Sequence, residues 1–149
     1  MPTSNDGLAL ILDFSPRFFK ARLPGVFARC VRLVERAVVY LGGEGRRECN
    51  KMSSEARLAY VMEANRVTTH LLNLASWCLI QRSFAEGEIT TKEQCAKLVG
   101  VKIEPPKRNP RHLARLPAEL QAIIKESEEV ARFIVVLAVS QDPNLYGKP

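Results

Sequence analysis

The chain has 149 residues, 46% hydrophobic and 26% charged, with 9 Pro and 8 Gly, the size of one ordinary domain. This composition excludes a disordered tail, a collagen-like repeat and a disulfide-dense miniprotein. The longest apolar run, residues 133–139, falls far short of the ~20 residues of a membrane span, and MPTSNDG lacks the basic start of a secretion signal, so a soluble cytoplasmic protein is expected.

The net charge of +6 is concentrated. Residues 15–47 hold eight Arg and Lys against Glu35 and Glu44, and residues 99–115 hold five against Glu104. Such an excess suits nucleic acid, an anionic surface or an acidic protein, without choosing among them. Cys30, Cys49, Cys78 and Cys95 lie far apart with no CxxC, and His70 and His112 stand alone. Zinc sites need ligands paired two to four residues apart, so no metal or other cofactor is expected.

In chain order, residues 8–12 form one short strand-like run without a partner strand. From Phe19, the positions Leu23, Phe27, Cys30, Val34, Val38 and Leu41 recur at helical steps. Ser15-Pro16 suits the start of this helix and Gly42-Gly43 its stop. Pro24-Gly25 predicts a break or kink within it. A second helix is expected over residues 54–86, with hydroxyls at Ser53 and Ser54 to cap it and Gly87 to end it. Thr90-Thr91-Lys92-Glu93 reads as a capping box for a short helix closed by Gly100. Residues 101–115 carry three prolines and no periodicity, which predicts a mobile, extended basic loop. Leu116-Pro117 then opens the last long helix, which buries Leu120, Ile123, Ile124, Ser127, Val130, Ala131, Ile134 and Leu137. The fold expected is all-α: three long helices and one short extra one. Residues 1–14 are an extension, 15–140 the bundle and 141–149 a flexible tail.

The middle helix is apolar on two sides. One side carries Leu58, Val61, Met62, Thr68, Leu72, Leu79 and Ile80; the other carries Tyr60, Val67, Leu71, Leu74 and Cys78. Two long helices can cover only one of them, so the second should meet another copy. Val67, Leu71, Leu74 and Cys78 are the expected dimer interface. Between the two sides runs a mixed stripe of Glu63, Arg66, His70, Asn73, Trp77, Gln81 and Phe84, a composition found at buried polar contacts and at recognition surfaces. Trp77 is expected in the core and Arg66 tied to a carboxylate. Arg66, Asn73 and Gln81 are the candidate partner contacts on this helix, and Lys107, Arg108, Arg111 and Arg115 those on the loop.

Catalytic constellations are lacking. Ser76 and Cys78 diverge from His70 on the helical wheel, so neither has a base to activate it. Glu63–Arg66 and Arg82–Glu86 are spaced for ion pairing. No phosphate-cradling GxxxxGK[ST] or GxGxxG occurs. The loop cations have no neighbouring aromatics for base stacking, and no helix-turn-helix is formed, so a nucleic-acid partner is not expected, although a basic nucleic-acid-associated protein is the alternative reading.

The middle helix also carries a recognisable string. Arg66-Val67-Thr68-Thr69, then Ala75-Ser76-Trp77-Cys78-Leu79-Ile80-Gln81-Arg82, then Gly87-Glu88-Ile89-Thr90 resembles the hallmark of the alphaproteobacterial RcdA-like family, regulators of CtrA degradation. Leu58-Ala59-Tyr60, the Leu-Gly-Gly after the first helix and the Leu-Pro opening the last fit the same outline. The resemblance implies a dimeric three-helix bundle without catalytic activity. It also implies an adaptor that helps deliver cell-cycle regulators such as CtrA to the ClpXP protease, with other adaptors and substrate proteins as partners.

Overall fold

The computed structural model describes residues 16–141, with side chains described from 21 to 138. The strand-like run at 8–12, the 1–14 extension and almost all of the expected tail lie outside them. Every element among the described residues is helical: α1 (Pro16–Gly42), α2 (Glu44–Asn50), α3 (Ser54–Ala85), α4 (Thr91–Leu98), α5 (Pro110–Ala114) and α6 (Ala118–Gln141). The long helices α1, α3 and α6 pack against one another and build the bundle.

Helix α1 runs through Pro24 as one element, so the expected break is absent. Pro24 and Gly25 face solvent while Leu23 and Val26 are buried. Water can serve the backbone groups that a proline leaves unpaired, and packing on both sides holds the helix together. Helix α2 was not foreseen. It closes tightly on the bundle, because a Cβ at Gly45 would strike the Tyr60 hydroxyl and come 2.8 Å from the Tyr40 ring. Only glycine fits there. The Arg57 guanidinium donates to the carbonyls of Cys49, Asn50 and Met52, at 3.2–3.3 Å, and so serves oxygens that the end of α2 leaves unpaired.

The other caps follow the sequence. The Ser53 hydroxyl accepts from the Ala56 amide at 3.3 Å, and the Thr90 hydroxyl accepts from that of Glu93 at 3.2 Å. Gly87 and Gly100 take φ of +75° and +88°, the left-handed region where helices turn off.

Ion pairs set the direction of α6. The Arg29 guanidinium reaches Glu126 and Glu129, and that of Arg36 reaches Glu119 and Glu126. Rising numbers on α1 thus meet falling numbers on α6, and the two are antiparallel. Arg36 grips Glu119 with two bonds, of 2.7 and 3.1 Å, a fork that holds the Glu119 carboxyl below the usual carboxylate range. Across the α1–α3 interface Tyr40 lies beside Tyr60, and the buried thiols of Cys30 and Cys78 lie beside each other. Helix α3 is therefore antiparallel to α1 as well, which leaves α3 and α6 parallel. Parallel helices cannot be joined by a tight turn. Residues 86–117 must travel back the length of the bundle.

Candidate functional site

The returning connection is pinned along α3. The Gln94 amide donates to the Gln81 carbonyl oxygen at 2.6 Å, His70 Nε2 lies 3.0 Å from the Ile103 carbonyl, and Arg108 Nε lies 2.7 Å from the Glu63 carboxylate. Arg115 then approaches Glu55 at 3.9 Å. Each step forward in the connection is a step back along α3. The mixed stripe of α3 is the track on which this strap lies.

This arrangement corrects three expectations. Residues 101–115 are anchored rather than free of the bundle: Ile103 is buried, and Asn109 caps α5, its side chain accepting from the Arg111 amide at 3.0 Å. The signal was present in Asn109-Pro110, a capping residue followed by a proline suited to the first helical position. Arg108 is no solvent-facing contact, because its side chain is 5% exposed and joins Glu63 to Glu128. Gln81, too, is buried and occupied by Gln94. Arg111 and Arg115 are exposed on and just after α5.

The expected dimer face is corrected most sharply. Val67, Leu74 and Cys78 are 0% exposed and Leu71 1%. Helices α1 and α6 cover them within one chain. Leu58, Leu72 and Leu79, read as the covered side, are 62%, 54% and 52% exposed. A helical wheel finds two apolar stripes but cannot tell which one the rest of the chain will occupy.

Glu63 is the polar centre of the site. One carboxylate oxygen takes Arg66 at 2.6 Å and the other takes Arg108 at 2.7 Å. Two cations satisfy a carboxylate that is otherwise out of water. His70 sits one strap contact away. Its bond to Ile103 assigns the ring proton to Nε2, while Nδ1 is buried without a partner. Burial pushes the His70 pKa down, the Ile103 carbonyl pushes it up, and the charge of Arg108 pushes it down again.

A stability effect follows from that lowered value. The unfolded chain, with His70 near its ordinary 6.5, binds the proton more readily than the folded one. The His70 contribution is therefore complete above about pH 6.5 and is lost as pH falls from there towards the lowered folded value. In His70→Asn, whose amide can still donate to Ile103, the melting temperature should fall less between pH 7.5 and 5.5 than in wild type. Equal falls would show that His70 is not responsible.

Between α3 and the strap lies a groove of about 820 Å³. It brings together Arg66, Asn73 and Lys107 from the sequence-derived partner contacts and adds Asn65, Thr69 and Lys102. Sequence reasoning missed these three because the groove exists only once the strap is folded back. The groups suggested for catalysis do not gather: Ser76 is exposed, Cys78 is buried against Cys30, and His70 faces Ile103. Among the described residues, no three His, Cys, Asp or Glu side chains are placed to hold a metal ion. No helix among them is long and apolar enough to cross a membrane.

The comparisons with known proteins agree with this architecture. No curated protein sequence matches the chain. Among solved structures, that of RcdA from Caulobacter crescentus is similar, with 29% identity and a TM-score of 0.62 over 85% of this chain and 92% of that one. A family described as a protein of unknown function, DUF1465, matches residues 15–141. That range takes in the three long helices, the strap and the groove, and the chain is a member of the DUF1465 family with the fold of an RcdA-like protein.

Proposed function

We propose that this chain is a non-enzymatic, protein-binding adaptor of regulated proteolysis in the cytoplasm. It helps deliver cell-cycle regulators such as CtrA to the ClpXP protease, in company with other adaptors. The observation that carries this reading is the likeness to RcdA, at 29% identity over 85% of the chain. The groove supports it, since it offers polar and basic groups without an activated nucleophile. The alternative, a nucleic-acid-associated protein, is weakened by the ion pairs of α1, where Arg29 and Arg36 are engaged by α6 carboxylates.

Reconstituted degradation tests the proposal. Purified chain added to ClpXP and CtrA, with the partner adaptors present, should speed loss of CtrA. No acceleration under any combination of adaptors would refute it. Binding to duplex DNA whose log affinity falls steeply with log salt, together with no acceleration, would favour the alternative.

The adaptor is proposed to be a homodimer through the C-terminal half of the outer side of α3, largely past the stretch that forms the groove wall. Leu72 and Leu79 stand seven residues apart there, both exposed, which is the spacing of a helix–helix seam. Leu72→Glu combined with Leu79→Glu should give a folded monomer in sedimentation, with little change in melting temperature. An unchanged dimer would move the interface elsewhere, and a monomeric wild type at micromolar concentration would remove it.

A further inference from the structure

We propose that the groove between α3 and the strap binds an extended, acidic peptide segment of a partner protein. The inference deepens the adaptor reading and rests on it for the partner being a protein.

Shape comes first. A groove of about 820 Å³ lies in the upper part of the size range of ligand sites. Both walls are held before any ligand arrives. One is the long helix α3, and the other is anchored at Ile103 by His70 and at Arg108 by Glu63. Binding therefore needs little ordering of the receptor, which favours affinity.

The α3 wall dictates an extended ligand. Asn65, Thr69 and Asn73 follow one another at four-residue steps, so they stand one above another along one face. They span about 12 Å at 1.5 Å per residue. Amide and hydroxyl side chains offer both donors and acceptors, which suits the free N–H and C=O groups of an extended chain. A helical ligand would already have satisfied its own backbone groups. Opposite stand Pro105 and Pro106, half-buried and without N–H groups. That wall cannot pair with a peptide as a strand would, and it presents apolar surface to the ligand's side chains instead.

Charge selects the peptide. Lys102 and Lys107 are exposed and, among the described residues, take part in no ion pair, and Arg66, bound to Glu63 on one side, keeps its side chain 41% exposed. Among the described residues that line the groove, Glu104 is the one carboxylate. The surplus is positive and fits an acidic segment. Among the described residues no Phe, Tyr or Trp lines the groove, and the His70 ring at its floor is buried and bonded to Ile103, so a nucleic-acid strand would find little surface on which to stack its bases.

The test is fluorescence anisotropy on the full chain with three labelled peptides of about eight residues. They alternate Val with Glu, with Gln or with Lys, because alternate side chains of an extended chain share one face. The Glu peptide should bind at least about tenfold more tightly than the Gln peptide, and the Lys peptide should not bind. Lys102→Glu with Lys107→Glu, both exposed and in no ion pair among the described residues, should abolish that preference. Asn73→Leu should weaken the Glu and Gln peptides by a similar few-fold, since it removes a backbone contact and no charge.

Equal binding of the three peptides, indifference to the double reversal, or tighter binding of an oligothymidine strand would each overturn the inference. Degradation assays separate it from the adaptor reading. A chain that binds the Glu peptide and never speeds CtrA loss keeps the groove and loses the role. A chain that speeds CtrA loss and ignores the peptide keeps the role and loses the groove.

Discussion

Trp77→Ala should lower the melting temperature by roughly 10–15 °C, the consequence of losing about 3–5 kcal/mol when a buried indole is cut back to a methyl group. Trp77 is 0% exposed and is among the largest wholly buried side chains, together with Leu71, Leu74 and Ile134. It belongs to the core that the long helices share, where the surrounding side chains relax only partly around a void. Trp77→Phe keeps most of the volume and should lose clearly less. Thermal unfolding followed by circular dichroism checks both. If Trp77→Ala melts with wild type, the indole is not a core side chain, and the middle helix turns a different face to its neighbours. The same buried position means that any loss of partner binding in Trp77→Ala should track the unfolded fraction and disappear on cooling.

The second large effect belongs to the strap. Arg108→Ala should cost about 3 kcal/mol, because it leaves the Glu63 carboxylate out of water with one of its two cations gone. The side chains concerned are 5% and 3% exposed, unlike those of the α1–α6 pairs, whose exposure of about 33–45% limits each to the small contribution of a surface ion pair. Arg111→Ala, three residues along and exposed, should change stability by no more than about 0.5 kcal/mol. Glu63→Met combined with Arg108→Met should recover much of the loss, since no buried charge is then left unpaired. Denaturant unfolding of the three variants beside wild type reads the whole series. Equal effects from Arg108→Ala and Arg111→Ala would mean that the strap is not held through Arg108. Hydrogen exchange adds a local view: in Arg108→Ala, the amides around Ile103 should lose protection before those of α3 do.

Both expectations depend on residues that a helical wheel places in one stripe and that the fold then uses in different ways. Trp77, His70, Glu63 and Gln81 turn inward, towards the core or the strap, while Arg66 and Asn73 line the groove. Their residue types alone marked the stripe as a place of buried polar contact or recognition, and it is both. Lys107 and Arg108 are a sharper case. They are adjacent, alike in charge and set in the same proline-rich segment. One stands in solvent and the other is bonded to Glu63 and Glu128. Nothing local distinguishes them, because the carboxylates that bury Arg108 are 45 and 20 positions away in the chain.

What the sequence determined by itself was whatever is governed by neighbours within a few residues. The 3.6-residue apolar period placed the three long helices. Ser53 and Gly87 marked the ends of α3, and Thr90 and Gly100 those of α4, through local hydrogen bonding and backbone freedom, and the Arg66–Thr69 and Ala75–Arg82 strings pointed to the right fold. Tertiary structure decided the rest. It chose which of the two apolar faces of α3 would be covered, since both suit burial and only the positions of α1 and α6 distinguish them. It held Pro24 inside a continuous helix because Leu23 and Val26 are anchored on either side. It also made α3 and α6 parallel, and that geometry obliges residues 86–117 to run back along α3. There His70, Gln81 and Glu63 can satisfy them, turning a segment that reads as loose and basic into one wall of a groove.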